Sequence, residues 1–395
     1  MSSPAFCTIL ARNYLPKALA LAESVRRHHG ERPLVVFLID ATAETQLPQL
    51  PGVRWMHPGE LDISTRQVHD LAMFYDLVEF ATAVKPLVLT RLLAEFDSVA
   101  YLDPDTYVTS PMAELGPALA DSSGVLLTPH YLEPTPPDHH FAEGHLLHVG
   151  VYNLGFCAVN RDALPFLRWW WGHLATECLH DPLAGLFVDQ KWVDVGAVLF
   201  HATSLAHRGY NVGVGNLHER PVTADGDGYR IDGTDDRLRL FHFHAFDPAR
   251  PEALYTRSDA RAENLRIDNP ALESLSKEYA ATVLAKQELV GPQPAYPYWT
   301  DSTGRRITRR MRHAYRAAVL AGDTSVPSPF VPEQAAEYAA WRRSAWRSAA
   351  RLSASDVAKG LRLALPEEFL AVKKRLPGLT RALRSRYLAG GGMWG

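Results

Sequence analysis

Cysteine is scarce in this sequence: Cys7, Cys157 and Cys178 are the three cysteines of a 395-residue chain. Their odd number and wide spacing argue against a disulfide framework and against a cysteine-based zinc site. Cys7 and Cys157 lie inside apolar runs, where a thiol usually behaves as a small buried hydrophobe. We therefore expect a protein of the reducing cytoplasm.

Long apolar runs are also missing. No stretch approaches the ~20 apolar residues that a membrane-spanning helix needs. The first residues lack the basic and apolar regions of a signal peptide, so none is expected. Hydrophobic residues make up 47% of the chain and charged residues 22%, which is ordinary usage for globular domains.

A strong net charge is absent overall, but the value of −3 conceals an asymmetry. Residues 301–395 contain 18 Lys and Arg against 7 Asp and Glu, whereas residues 1–300 contain 23 against 37. An acidic body followed by a basic end indicates two functional parts. We predict a catalytic domain over 1–290, a linker rich in proline and aromatic residues over 291–304, and a basic helical region over 305–395.

The N-terminal residues predict a βαβ unit. Phe6–Leu10 is typical of a buried strand, Leu15–His29 of an amphipathic helix, and Leu34–Ile39 of a second buried strand. This order and spacing imply a parallel sheet. Ligands of such sheets gather at the carboxyl ends of the strands, where Asp40 stands.

Hydrophobic patterns predict further elements along the chain. The segment 129–145, rich in proline and histidine, is predicted to be a loop of the kind that often forms a functional lid. The predicted strands are Ser98–Leu102, Gly124–Thr128, Phe156–Val159 and Leu238–Phe243. The predicted helices are Val68–Phe96 with a break at Lys85-Pro86, Ala163–Cys178, Phe187–Val195, Pro270–Leu289, Arg305–Leu320, Pro332–Leu352 and Ser355–Leu388.

The strongest local motif is Val99-Ala100-Tyr101-Leu102-Asp103-Pro104-Asp105-Thr106. An apolar strand delivers two carboxylates, one residue apart, at its C-terminal end. Carboxylate oxygens with few other ligands suit Mg²⁺ or Mn²⁺, with positions left open for phosphate oxygens. We expect Asp103 and Asp105 to hold such an ion. The alternative is an ordinary turn, since Asp and Pro are turn formers.

A phosphatase of the Asp-x-Asp-x-Thr type would begin with a similar pair of carboxylates. That motif requires Thr or Val at position 107, where Tyr107 stands. Thr106 comes one residue too early, so the sequence disfavours a phosphatase.

Two histidines alternate in Leu240-Phe241-His242-Phe243-His244. Alternate side chains of a strand point to one face, so His242 and His244 are expected to lie together. Either could be a nitrogen ligand of the same metal. The alternative is a strand histidine satisfied by a carboxylate or by a backbone group.

Two further short segments and one lysine are candidate ligand contacts. Asp189 and Gln190 place a carboxylate beside an amide, suited to sugar hydroxyls, unless Asp189 is simply a helix N-cap. Asn153-Leu154-Gly155 opens a strand with a glycine that lets backbone approach a ligand, or else forms an ordinary turn. Lys85 could meet a diphosphate, although a solvated surface lysine is the default.

In this order, over residues 6–289, the motifs resemble bacterial glycosyltransferases of the GT-A fold, near the glycogenin and lipopolysaccharide galactosyltransferase group. The matching segments are Thr8–Tyr14 (first strand and nucleotide-binding turn), Ala83–Pro86 (a basic residue near the donor), Tyr101–Asp105 (metal motif), Tyr152–Phe156 (Asn-x-Gly turn near the donor sugar), Asp189-Gln190 (sugar contacts), Tyr210–Val212 with Asn216–Arg220 (signature of a bacterial branch) and His242-Phe243 (late metal histidine).

The resemblance implies an α/β fold of the Rossmann-like GT-A type, with a mixed sheet flanked by helices and a C-terminal helical segment. It implies metal-dependent transfer of a sugar from a nucleotide-diphosphate donor to an unknown acceptor, with retention of anomeric configuration and with Mn²⁺ or Mg²⁺ as cofactor. The expected site residues are Thr8, Ala11, Asn13, Tyr14, Asp40, Lys85, Asp103, Asn153 and Gly155 for the donor, Asp103, Asp105 and His242 for the metal, and Asp189 and Gln190 for catalysis.

The sequence departs from that group after His242. Ala245 stands where the group often has glycine, and Asp247-Pro248 where a Lys-Pro pair often follows. A diphosphate contact from that position is therefore not expected, so Lys85 or another group must contribute more. Gly213-Val214-Gly215 replaces bulkier residues, which alters the pocket wall.

Two rival functions and one mechanistic alternative stay open. An inverting enzyme would need a positioned base, for which Asp138, His139 and His140 are candidates. A sugar nucleotidyltransferase normally carries a glycine-rich phosphate loop, whereas residues 8–17 contain no glycine. A non-catalytic protein that binds sugar nucleotides or glycans could keep the same fold.

The basic helical end allows several partners. Its Lys and Arg residues lie among Trp, Leu and Ala at helical spacing, which is typical of an amphipathic region on an anionic membrane. The same surface could instead pair with the acidic body, join a second copy in a homodimer, or be solvated. Nothing resembles a nucleic-acid recognition module. We expect a cytoplasmic location, with peripheral contact at the inner membrane face.

Overall fold

The computed structural model of the protein describes residues 4–30, 32–137, 142–256 and 267–368. The chain forms two compact units, Met1–Pro297 and Tyr298–Gly395. Their boundary falls inside the segment 291–304, while the roles of the two units stay predictions.

The first unit alternates strands and helices. Its described strands are β1 (Ala5–Leu10), β2 (Leu34–Leu38), β3 (Val53–Met56), β4 (Ser98–Leu102), β5 (Thr106–Val108), β6 (Val125–Pro129), β7 (Tyr152–Asn160), β8 (His180–Asp181), β9 (Leu186–Phe187), β10 (Thr203–Ser204), β11 (Val222–Asp225), β12 (Gly228–Ile231) and β13 (Leu240–His242). Its described helices are α1 (Leu15–His29), α2 (Thr65–Phe74), α3 (Leu77–Ala83), α4 (Lys85–Leu93), α5 (Leu115–Ala120), α6 (Leu146–Val149), α7 (Leu164–Glu177), α8 (Gln190–Leu199) and α9 (Pro270–Val290).

Seven of the described strands form one sheet in the order β10-β6-β7-β4-β1-β2-β3. β1 runs parallel to β2 and β4, so that Cys7 lies opposite both Val35 and Tyr101. β7 is antiparallel to β4 and β6. The predicted fold class, an α/β chain with a mixed sheet flanked by helices, is confirmed.

The predicted βαβ unit is present as β1, α1 and β2. Every residue of β1 and β2 is buried, and α1 buries the apolar stripe that includes Leu15, Leu19 and Val25. α1 ends at Gly30, whose φ of 74° is a conformation that glycine adopts at little cost. Because β1, β2 and β4 run parallel, their carboxyl ends meet at one edge of the sheet.

The predicted helix Val68–Phe96 is wrong in its continuity, because it is three helices. The backbone is extended at Tyr75 and Asp76, and the Asp76 carboxylate accepts hydrogen bonds from the backbone N–H groups of Val78 and Glu79. This capping ends α2 and starts α3.

The expected break at Lys85-Pro86 is the start of α4, where proline fits the first turn. The predicted helix Phe187–Val195 is wrong at its beginning, because β9 includes Phe187. Val188 then adopts a φ of 42°, so α8 starts only at Gln190.

The second unit contains α10 (Arg309–Leu320) and α11 (Ala335–Ala364). The separation of Pro332–Leu352 from Ser355–Leu388 is wrong, because the intervening residues include neither proline nor glycine and α11 continues through them. The end of Ser355–Leu388 lies outside the described residues. None of the helices in the described part of the chain is both long and apolar enough to cross a bilayer.

Candidate metal and donor site

Asp103 and Asp105 lie in a tight connection between β4 and β5. The Asp103 N–H donates to the Gly155 carbonyl at 2.9 Å, and the Asp103 carbonyl accepts from the Thr106 hydroxyl at 2.7 Å. The Tyr101 hydroxyl donates to Asp103 Oδ1 at 2.5 Å. The residues therefore do form a turn, and that turn holds both carboxylates at the carboxyl edge of the sheet.

His242 meets these carboxylates from the neighbouring strand. β13 is antiparallel to β5, with His242 opposite Thr106. The buried Nε2 atom of His242 lies 3.3 Å from Asp105 Oδ1 and 3.7 Å from Asp103 Oδ2. Its geometry gives it no hydrogen-bond partner among the described residues. A buried nitrogen beside two carboxylates fits a divalent cation, which would satisfy all three groups.

His244 belongs to the same cluster. One donor atom from each of Asp105, His242 and His244 lies within 4.8 Å of the others. The expectation that the two histidines lie together agrees with this geometry, although His244 is exposed and His242 is buried. The structure therefore offers one imidazole more than the predicted metal ligands Asp103, Asp105 and His242.

Asn211 determines which nitrogen of His242 faces the carboxylates. Its amide nitrogen donates to the Thr128 hydroxyl and to the Asn153 carbonyl, each at 2.9 Å. Its amide oxygen is thereby left to accept from His242 Nδ1 at 3.1 Å. The proton is assigned to Nδ1 by this network, so the lone pair of neutral His242 lies on Nε2, the atom aimed at Asp105.

Gly155 makes room for this arrangement. A Cβ atom at position 155 would lie 2.4 Å from His242 Nδ1 and 3.0 Å from Asn211 Oδ1. Asn153 lies in the same strand, β7, and its side-chain oxygen accepts from the Gly155 N–H at 3.0 Å. The predicted Asn-x-Gly turn is therefore wrong, because these residues belong to β7, but the glycine does admit the imidazole of His242.

The electrostatics of the cluster favour a bound cation. Burial raises the pKa of Asp103, against the lowering effect of Lys85 and His242. Burial also opposes ionisation of Asp105, but His242 and Lys17 hold its pKa below the usual value. For His242, burial lowers the pKa, but the Asp105 and Asp103 carboxylates raise it by more, so the net change is an increase. The two carboxylates thus favour positive charge beside them, which is the charge that a cation would supply.

Lys85 is not at the surface. It is 1% exposed, and its Nζ atom lies 2.6 Å from Asp189 Oδ2, 3.3 Å from the Leu154 carbonyl and 4.1 Å from the centroid of the Tyr101 ring. Burial lowers the pKa of Lys85, but the neighbouring acidic groups, Asp189 first and then Asp103, together more than offset it. The alternative of a solvated lysine is therefore wrong. Its predicted contact with a diphosphate stays a prediction.

Gln190 holds two segments beside this ion pair. Its side-chain oxygen accepts from the Leu154 N–H at 3.1 Å, and its side-chain nitrogen donates to the Val149 carbonyl at 2.9 Å and lies 3.2 Å from His130 Nε2. Asp189 is the N-cap residue of α8, as the alternative has it, but its side chain makes no capping hydrogen bond and pairs with Lys85 instead. Its sugar contact stays a prediction.

The predicted nucleotide-binding residues lie within β1 or follow β1 and β2. Asp40 is buried and accepts from the Arg12 N–H at 3.0 Å, with the Arg12 guanidinium 3.4 Å away. Thr8 is buried inside the sheet, whereas Asn13 and Tyr14 are exposed just before α1. The remaining residue, Ala11, accepts from the Tyr14 N–H at 2.9 Å.

Sequence reasoning missed two contributors. In the sequence, Asn211 belongs only to the segment that resembles the signature of a bacterial branch. Its φ of 53° lies in the left-handed region, a backbone constraint that the sequence does not show. Lys17 was not selected at all, because a lone lysine in the first turn of an amphipathic helix carries no motif. Its charge nevertheless acts on both Asp105 and His242.

No protein-family model matches this sequence. The uncharacterized protein YfnF of Bacillus subtilis (strain 168) is 22% identical over 298 residues, which cover 73% of this chain and 95% of YfnF. A glycosyltransferase involved in glycosylation of the major capsid of PBCV-1 overlaps 62% of this chain and 93% of its own, with 13% identity and a TM-score of 0.33. The WbbM bifunctional glycosyltransferase overlaps 73% of this chain and 51% of its own, with 14% identity and a TM-score of 0.41.

Replacing Lys85 with an uncharged residue should leave the buried Asp189 carboxylate without an opposite charge. We expect Lys85→Met to lower the free energy of unfolding by about 3–5 kcal/mol, because an unpaired carboxylate is then buried. The double variant Lys85→Met with Asp189→Leu should recover most of this loss. Urea unfolding at neutral pH measures both, and equal stability of the single variant and wild type would contradict the assigned pair.

Gly155→Ala should displace the imidazole of His242. The added Cβ overlaps Nδ1, so we expect a loss of about 1–3 kcal/mol in the free energy of unfolding. Gly144→Ala is the matched control, since a Cβ there meets nothing within 4 Å. Urea unfolding of both variants checks this, and an unchanged Gly155→Ala protein would show that the glycine is not needed for packing.

Proposed function

We propose that this protein is a glycosyltransferase of the GT-A type, which moves a sugar from a nucleotide-diphosphate donor to an acceptor with the help of a divalent metal. One observation carries the proposal: the Asp-x-Asp carboxylates at the carboxyl edge of the sheet meet His242, whose Nε2 atom is buried and directed at them.

Asp103, Asp105 and His242 would hold the metal, and His244 offers a further nitrogen. A mixed set of oxygen and nitrogen donors favours Mn²⁺ over Mg²⁺, which prefers oxygen ligands and near-ideal octahedral geometry. A bound divalent ion neutralises the charge that builds on the diphosphate as the bond to the sugar breaks. Such electrostatic stabilisation is often the largest contribution to catalysis.

The protein's own residues prepare that site in three ways. Asn211 fixes the tautomer of His242, Tyr101 orients the Asp103 carboxylate, and Lys85 holds Asp189 in place. Fixed contacts of this kind reduce the reorganisation that donor binding requires. We propose that Asp189 and Gln190 contact the donor sugar at this end of the pocket.

Retention of anomeric configuration is part of the proposal and is supported by the resemblance to the glycogenin-like group. The candidate bases of an inverting mechanism, Asp138, His139 and His140, lie outside the described residues. The first unit would carry out the transfer, and the linker and the basic C-terminal region keep the roles proposed from the sequence.

The basic second unit is proposed to contact an anionic membrane surface, where a lipid-linked acceptor would be found. α11 supports this, since Trp346 is exposed between the exposed side chains of Arg343 and Arg347. Homodimer formation through the same surface stays an alternative, and nucleic acid is not among the proposed partners.

Incubation with a panel of nucleotide sugars and Mn²⁺ tests the function. We expect release of free nucleoside diphosphate from one donor, reduced about 10²-fold or more in Asp105→Asn because a group that stabilises the leaving diphosphate is lost. Asp97→Asn is the matched control, since that side chain is 72% exposed.

Three results would separate the alternatives. No release and no metal-dependent binding of any donor by the wild type would contradict the proposal. Release of inorganic pyrophosphate from a nucleoside triphosphate and a sugar phosphate would instead identify a nucleotidyltransferase. Donor binding without turnover, even with a range of glycan and lipid-linked acceptors, would favour a non-catalytic binding protein.

A further inference from the structure

We propose that Lys17 binds the diphosphate of the donor from α1, beside the metal ligands. This inference rests on the proposed function and names a residue that the motifs of the sequence did not select. It also assigns the diphosphate contact to a different element from Lys85.

Lys17 lies at the edge of the sheet that carries the metal ligands. It belongs to the first turn of α1, directly after the turn that follows β1. Its Nζ atom is 3.5 Å from the Phe246 carbonyl and 4.9 Å from the centroid of the Tyr14 ring. The chain segment that it contacts is the one that follows His242.

That segment is joined directly to the Asp-x-Asp turn. The Phe243 N–H donates to the Asp105 carbonyl at 2.8 Å, and the Phe246 N–H donates to the Phe243 carbonyl at 3.2 Å. Lys17 is therefore connected to Asp105 through two backbone hydrogen bonds and one side-chain contact. Its charge reaches the site as well, since it lowers the pKa of both Asp105 and His242.

The charge balance of the site calls for a further cation. A divalent ion held between the carboxylates of Asp103 and Asp105 has no surplus positive charge, while the diphosphate is an anion. Positive groups are most effective where they meet such charge at the rim of a low-dielectric pocket. Lys17, which is partly exposed, can contribute this charge without being drawn out of the core.

Two other basic groups near the site are held in ion pairs. Lys85 is buried, with Asp189 at 2.6 Å, so moving its ammonium to a ligand would leave a buried carboxylate unpaired. The guanidinium of Arg12 is 3.4 Å from Asp40, which anchors the turn after β1.

The departure at Asp247 fits this assignment. Asp247 stands where the resembling group often has lysine, and an additional carboxylate there cannot attract a diphosphate. The ammonium of Lys17 reaches the carbonyl of Phe246, the residue directly before it. A cation from α1 thus lies next to the carboxylate of the loop after β13.

Binding of nucleoside diphosphates tests the inference separately from catalysis. The probes are UDP, GDP, ADP and CDP with Mn²⁺, the matching nucleoside monophosphates, and Mn²⁺ alone, measured by isothermal titration calorimetry on the full chain. The variants are Lys17→Gln and Lys17→Arg, with Lys277→Gln as the matched control because its side chain is 62% exposed on α9. Thermal unfolding checks that each variant is folded.

We expect Lys17→Gln to weaken binding of the preferred diphosphate about ten-fold or more, as loss of a charged hydrogen bond would. Monophosphate affinity should fall less, Mn²⁺ affinity should not fall, and Lys17→Arg should keep most of the diphosphate affinity. Wild-type binding of a diphosphate that Lys17→Gln retains in full would overturn this inference alone. If the wild type binds no diphosphate with Mn²⁺, the proposed function fails and the inference fails with it.

Discussion

The arrangement of the site depends on one interaction, the hydrogen bond between His242 and Asn211. It directs the Nε2 atom of His242 at Asp105 and places the proton on the opposite nitrogen. The bond is possible only because position 155 is a glycine, and because the amide of Asn211 is itself held by Thr128 and by backbone. Residues from β6, β7 and β13, with Asn211 from the segment between β10 and β11, therefore cooperate to present one imidazole to one carboxylate.

A second constraint lies behind this cluster, in the buried pair of Lys85 and Asp189. Two opposite charges removed from water are retained only when their geometry compensates for lost hydration, and their separation of 2.6 Å meets that requirement. The pair keeps positive charge close to Asp103 while occupying the ammonium of Lys85. Lys85 is therefore a buried cation held by Asp189, whereas Lys17 is partly exposed at the same edge of the sheet.

The sequence predicted the features that depend on local pattern. The β1–α1–β2 unit and the strand that leads into Asp103 follow from hydrophobic periodicity. His242 and His244 lie together as predicted, but the predicted reason was strand alternation, whereas β13 ends at His242 and His244 lies in the turn after it. Features that depend on distant contacts were not predictable. The partner of Lys85 is 104 residues away in the chain. The role of Asn211 depends on contacts with residues of three strands. α11 continues through the predicted break because the residues there include no helix-breaking proline or glycine.

Binding of Mn²⁺ to the protein without any nucleotide tests the central claim most directly. Calorimetric titration in two buffers of different ionisation enthalpy, near neutral pH, reports affinity and the number of protons released. Because His242 has a raised pKa in the metal-free site, we expect one ion to bind with release of up to about one proton, and His242→Gln to weaken binding roughly 10–100-fold. Equal Mn²⁺ affinity in the wild type and in His242→Gln and Asp105→Asn, or no binding to the wild type, would contradict the account.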